Sequence, residues 1–123
     1  MIKFDFDSNR PIYIQLVEQL ELYIISGKIP PGERLPSVRD LAIQAKVNPN
    51  TMQRALAELE DAKLIHTERT NGKFITGNIK HIQKYREKFA KAKVKKFLTE
   101  MHELGIDEPT IQKILLKKEV NKI

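Results

Sequence analysis

Asn50, Gln53 and Arg54 are hydrogen-bonding side chains spaced to share one face of a helix, with the slim Ala57 one turn further along. Such a face suits the major groove of double-stranded DNA. Asn and Gln amides pair bidentately with adenine, and an Arg guanidinium with guanine. Thr51 and the free N–H groups at the same helix start could hold a backbone phosphate. Asn71-Gly72-Lys73 reads as a hairpin tip whose glycine leaves room to approach the minor groove or its phosphates. Arg39 could reach the backbone or a base edge. Nothing comparable supports catalysis or a metal. His66, His81 and His102 are scattered without ligand-spaced partners, and there is no Gly-rich phosphate loop. Asp5/Asp7 and Glu58/Glu60/Asp61 read as solvated acids or caps. No enzyme activity and no cofactor are expected.

The elements that must carry these residues follow from periodicity and caps. Residues 2–6 alternate apolar and polar, as in a short strand or an extended arm packed on the body. Ser8-Asn9-Arg10-Pro11 then starts helix one, expected from Pro11 to Ser26 with Tyr13, Leu16, Val17, Leu20, Tyr23 and Ile24 at helical spacing. Ile14, Leu22 and Ile25 add apolar surface elsewhere on it, which predicts a second burial partner. Gly27 stops the helix, and Ile29 to Pro36 forms a rigid, non-helical connector.

Ser37 caps helix two, with Asp40 completing a capping box, and Val38, Leu41, Ala42 and Ala45 form one buried stripe to about Lys46. Asn48 caps helix three, Pro49 fits its first turn, and Met52, Ala55, Leu56 and Leu59 face inward over a helix expected to reach Lys63. Leu64–Arg69 and Lys73–Thr76 read as paired strands. Asn71-Gly72 between them suits the two positive φ angles of a type I′ turn. Three helices and an immediate hairpin make a winged helix-turn-helix.

Charge weakens one inference and leaves another standing. The chain carries +6 overall, but residues 1–77 hold ten basic and ten acidic residues, and residues 78–123 hold twelve and six. The DNA reading therefore rests on placement and not on total charge. There are no cysteines, which fits a reducing cytoplasm. No run of about 18 apolar residues exists to span a membrane, and the N-terminus carries no apolar signal core.

Leu35-Pro36-Ser37-Val38-Arg39-Asp40-Leu41-Ala42, Val47-Asn48-Pro49-Asn50-Thr51-Met52-Gln53-Arg54-Ala55-Leu56, Leu59-Glu60 and Gly72-Lys73-Phe74-Ile75 resemble the GntR family of bacterial transcription regulators. Pro11-Ile12-Tyr13-Ile14-Gln15-Leu16 and the Gly27…Pro31-Gly32 connector fit too, so the resemblance covers about residues 4–77. The Asn-Pro-Asn-Thr helix start and the short C-terminal segment are most similar to the YtrA-like subfamily. The resemblance implies a homodimer on a near-palindromic operator, with contacts from Arg39, Asn48, Asn50, Thr51 and the Gly72 wing tip. Many relatives with large effector domains carry an arginine where this chain has Pro49. That contact does not transfer, which leaves Gln53 and Arg54 as the better candidate base readers.

Residues 78–123 are expected to be a two-helix dimerisation segment. A long helix from Ile79 to Leu104 carries an imperfect stripe of Ile79, Ile82, Phe89, Phe97, Met101 and Leu104. Gly105 ends it, and Asp107 caps a last helix with Ile111, Ile114 and Leu115 on one side. Lys80, Lys84, Lys88, Lys91 and Lys95 step along one face, as a solvated surface or a contact to flanking DNA backbone. Apolar space beside helix one leaves room for a small-molecule effector. The expected fold class is thus mainly α with a small β-hairpin: a winged helix-turn-helix over 1–77 and a helical segment over 78–123. The candidate DNA contacts are Ser37, Arg39, Asn48, Asn50 and Thr51, then Gln53 and Arg54, and on the wing Asn71, Gly72 and Lys73. The expected function is sequence-specific repression; the alternative is a winged-helix protein–protein adaptor.

Overall fold

In a computed structural model, which describes residues 2–117, the element order is α1 (Ile12–Ile25), α2 (Val38–Ala45), α3 (Pro49–Asp61), β1 (Ile65–Glu68), β2 (Gly72–Ile75), α4 (Ile79–Glu103) and α5 (Glu108–Leu116). The architecture is mainly α with one antiparallel hairpin, and residues 118–123 of the expected C-terminal segment lie outside the described residues. Among the described residues no helix is long and apolar enough to cross a membrane. The chain divides into two compact units whose boundary falls between Arg86 and Glu87, inside α4.

The first unit is built on the apolar stripes. Leu16, Leu20 and Ile24 of α1 meet Leu41 and Ala45 of α2 and Met52, Leu56 and Leu59 of α3 in a core closed by Leu64, Ile65 and Ile75. The caps that delimit α2 and α3 are formed: Ser37 Oγ accepts from the Asp40 amide at 3.1 Å, and Asn48 Oδ1 from the Asn50 amide at 2.7 Å. The end of α2 falls where expected, with Lys46 as its C-cap, and α3 ends two residues before the expected Lys63. Lys46 and Lys63 adopt left-handed φ angles of 57° and 61°, so α2 closes at Ala45 and α3 at Asp61, short of Lys63.

The start of α1 also differs from expectation. Pro11 is the N-cap and offers no side-chain cap. Gln15, only 2% exposed, supplies the organisation from inside the helix. Its amide donates to the carbonyls of Asp7 and Arg10 at 2.9 and 2.8 Å, and its Oε1 accepts from the Asp7 amide at 2.9 Å.

Gln15 is the first rung of a ladder that turns residues 2–7 into an arm and not a strand. Gln19 exchanges two hydrogen bonds with the Asp5 backbone, and the Tyr23 hydroxyl does the same with Lys3. The Ile2 amide donates to Gln44 Oε1 on α2 at 3.1 Å. The match is geometric: four residues of helix rise about 6 Å, and two residues of extended chain span about 6.6 Å. Side chains at 15, 19 and 23 can therefore meet the backbone of 7, 5 and 3, running antiparallel to the helix. Phe4 and Phe6 on the alternate positions pack against the core. Gln15→Leu is expected to cost about 1–2 kcal/mol in urea unfolding, since three polar backbone groups lose a partner at a partly wet site. An unchanged denaturation midpoint would show the ladder to be decorative.

The connector after α1 holds a third strand-like segment. The Ile75 amide donates to the Glu33 carbonyl at 2.9 Å and the Leu35 amide to the Lys73 carbonyl at 2.8 Å, with Arg34 bridged to Phe74 between them. The hairpin is thus flanked on β2 by residues 33–35.

In the second unit the long helix ends at Gly105, where φ is 81° and the Ile106 amide reaches back to the Met101 carbonyl at 3.1 Å. Asp107 Oδ1 accepts from the Thr110 amide at 3.0 Å and caps α5, which buries Ile111. Val94, Phe97, Leu104, Leu115 and Leu116 stay exposed.

Candidate nucleic-acid interface

Asn50, Gln53, Arg54 and Ala57 all lie exposed on α3, opposite its buried Met52, Ala55, Leu56 and Leu59. Thr51 is half-buried at the helix start, and Arg39 is exposed one residue into α2. The Ser37 and Asn48 oxygens each accept a capping bond, and the Ser37 hydroxyl and Asn48 amide hydrogens remain to meet a phosphate.

Arg54 is not a free side chain. Its guanidinium carbon sits 4.0 Å from the centre of the Tyr13 ring, a cation–π arrangement. The Tyr13 hydroxyl donates to the Glu58 carboxylate, and that bond raises the phenol above its ordinary value of 10. The aromatic residue of α1 thereby organises two residues of α3. Helical spacing alone puts Tyr13 in the core stripe; its partial exposure and its reach to Arg54 depend on how α1 crosses α3.

The wing corrects the expected turn. Glu68 pairs with Gly72, leaving Arg69, Thr70 and Asn71 between the strands, and the Asn71 amide donates to the Glu68 carbonyl at 3.1 Å. Gly72 alone in this turn has a positive φ, at 99°, so the connection is longer than the expected type I′ turn, which needs two.

Register also decides where the wing's basic residues point. Ile65 pairs with Ile75 on the core face, and the period of two puts Thr67 and Lys73 on that same face. Lys73 Nζ accordingly lies 3.3 Å from Glu60 Oε1 and 2.9 Å from the Thr67 hydroxyl, which itself donates to Glu60 at 2.7 Å. The Lys73 side chain is only 15% exposed. It ties the wing to the end of α3, while Asn71 and Gly72 remain at the exposed tip.

The Thr67 hydroxyl holds the Glu60 carboxyl below its ordinary 4.5, with Lys73 adding to the effect and burial opposing it. A carboxylate depressed in the folded state contributes stability above its unfolded value and loses it as pH falls through the folded one. The Thr67 and Lys73 resonances are therefore expected to move together as the pH falls below the ordinary carboxyl value of 4.5, and not to do so in Glu60→Gln. Static resonances in the unmodified chain would disprove the tie.

Residues 12–75 match the family described as bacterial regulatory proteins, gntR family. The chain is 38% identical over 101 residues to the uncharacterized HTH-type transcriptional regulator YhcF of Bacillus subtilis (strain 168), covering 82% of this chain and 84% of that protein. It is 35% identical over 108 residues to the HTH-type transcriptional repressor YtrA of the same organism, covering 87% and 83%. A solved GntR family transcriptional regulator from Listeria monocytogenes superposes with a TM-score of 0.84 at 39% identity, over 91% of this chain and 98% of that one. With α2, α3 and the hairpin arranged as a winged helix and family, relatives and fold in agreement, the chain belongs to the gntR family as a DNA-binding transcription regulator and not an enzyme.

Proposed function

We propose that the chain is a homodimeric repressor that binds a near-palindromic operator, with residues 1–77 as the DNA-binding domain and 78–123 as the dimerisation segment. The observation that carries this reading is the exposed Asn50–Gln53–Arg54 face of α3, set beside a wing whose tip is Gly72. In the complex, the N-terminal end of α3 lies in the major groove, where Gln53 and Asn50 read adenine and Arg54 reads guanine. Arg39, Thr51 and the donors of Ser37 and Asn48 position the domain on phosphates, and Asn71 and Gly72 bring the wing to the adjacent groove.

Dimerisation is supported by apolar surface that a single copy leaves open. Phe97 and Val94 of α4 are 41% and 56% exposed, and Leu116 of α5 is 80% exposed, which leaves apolar side chains available to a partner copy. Repression follows if the operator overlaps a promoter, and the similarity to a protein named a repressor supports that direction.

Selection of bound sites from random DNA tests the reading directly. Inverted half-sites about one helical turn apart are expected. Absence of any enriched motif would favour the adaptor alternative, and enrichment of isolated half-sites would refute the dimer.

A further inference from the structure

We propose that Arg34 is the cation with which the wing enters the minor groove, its guanidinium delivered across Gly72. The inference rests on the DNA-binding reading above and names a specificity residue within it that lies outside both the recognition helix and the hairpin.

The wing needs a cation near its tip to gain from a polyanion, and Lys73, next to Gly72 in the chain, is withdrawn. Lys73 is held against Glu60 and Thr67 on the α3-facing side. Arg34 lies on the other face. It is bridged to Phe74, and two residues along the same face of β2 from Phe74 is Gly72. The position a Gly72 Cβ would take is 3.4 Å from Arg34 Nε and 3.5 Å from one of its terminal nitrogens, so the guanidinium lies beside the space that the missing side chain leaves. Among the described residues no carboxylate lies within ion-pair distance of Arg34, and the residue is exposed.

The anchor beneath it is firm. On either side the backbone is hydrogen-bonded to β2, the Glu33 carbonyl accepting from the Ile75 amide and the Leu35 amide donating to the Lys73 carbonyl, and Leu35 is buried. The backbone of Arg34 is therefore fixed while its charged end is unpaired, as a positioned contact group requires. Arg69, also exposed near the tip, sits in the turn between the strands.

A flat guanidinium suits the narrow, strongly negative minor groove of A·T-rich DNA better than a strongly hydrated ammonium. Arg34 should thus set a preference for A·T-rich steps flanking the half-sites that α3 reads, without touching the half-site sequence itself.

The test repeats the random-DNA selection with the full chain and with Arg34→Gln, Arg34→Lys and Arg69→Gln. Arg34→Gln is expected to keep the central motif, lose enrichment of flanking A·T pairs, bind the selected site about tenfold more weakly and reduce the log–log salt slope by about one per protomer. Arg34→Lys should retain the slope and lose the flanking preference. Unchanged flanks and slope in Arg34→Gln, or the same losses in Arg69→Gln alone, would overturn the inference and leave the DNA reading intact. If the unmodified chain enriches no motif, the DNA reading fails and this inference with it. Thermal unfolding of Arg34→Gln at the midpoint of the unmodified chain shows that the change is in the contact and not in the fold.

Discussion

A chain ended after Gly77 is expected to be less stable than the full chain by about 2–4 kcal/mol, a fall in midpoint of roughly 10 °C or more. A chain ended after Ala90 should keep its stability. The difference lies in the first two turns of α4, which the core of the first unit includes. Ile82 is 2% exposed and belongs to the same buried cluster as Leu16 and Leu56, with Tyr85 packed against it. His81 Nε2 lies 2.8 Å from the Ala62 carbonyl, beyond the end of α3, and Arg86 Nε donates at 2.7 Å to the Ile25 carbonyl at the end of α1. Asn78 starts the helix by accepting from the His81 amide at 3.1 Å. A cut after Gly77 removes all of these and leaves the ends of α1 and α3 open. A cut after Ala90 keeps them, and it also keeps the amides that the carbonyls of 82–86 need.

The same pair of truncations separates stability from dimerisation. On the proposed reading both lose the partner, so both should bind the selected operator about 10²- to 10⁴-fold more weakly than the full chain. Sedimentation should show both as monomers. An Ala90-ended chain that folds, remains dimeric at low micromolar concentration and holds the operator would place the dimer contact elsewhere. Equal stability of the two truncations would instead show that residues 78–90 add nothing to the first core.

Local signals were the legible ones. The Ser37 and Asn48 caps and the inward stripes of α2 and α3 depend on neighbours within a turn or two, and they fall where the residues direct. The exposed Asn50, Gln53 and Arg54 follow from the same periodicity. What could not be read locally was pairing across the fold. Residues 33–35 hold no strand pattern among Pro30, Pro31 and Pro36, yet they align on β2 because Ile75 and Lys73 present open backbone groups to them. Lys73 looked like a wing-tip cation by its position beside Gly72. The alternation from Ile75 would have placed it inward, a signal available in the residues and outweighed by its position at the turn. The arm at residues 2–7 and its ladder required knowing that Gln15, Gln19 and Tyr23 would face it, and two of these are polar residues that an apolar stripe skips over.

Arg54→Ala is expected to weaken binding to the selected operator by about 1–3 kcal/mol and to relax base choice at one position of each half-site. Its environment adds a sharper expectation. The guanidinium is stacked 4.0 Å over Tyr13, and the ring is itself held by its hydroxyl on Glu58. Stacking leaves the in-plane N–H donors of the guanidinium free to face outward, so a base edge can still be met bidentately. It also removes rotamer freedom that binding would otherwise have to quench. Tyr13 is therefore expected to act through Arg54. Tyr13→Leu keeps apolar volume but loses the π face, and should cost about 1 kcal/mol of specific binding. Tyr13→Phe keeps the face, and should cost less. In a double-mutant cycle, Tyr13→Leu should have little further effect once Arg54 is alanine, because the group it positions is gone. Additive losses would show that Tyr13 contacts DNA or supports the fold by another route. If Arg54→Ala weakens selected and random sequences equally, Arg54 holds a phosphate, and base reading falls to Gln53 and Asn50.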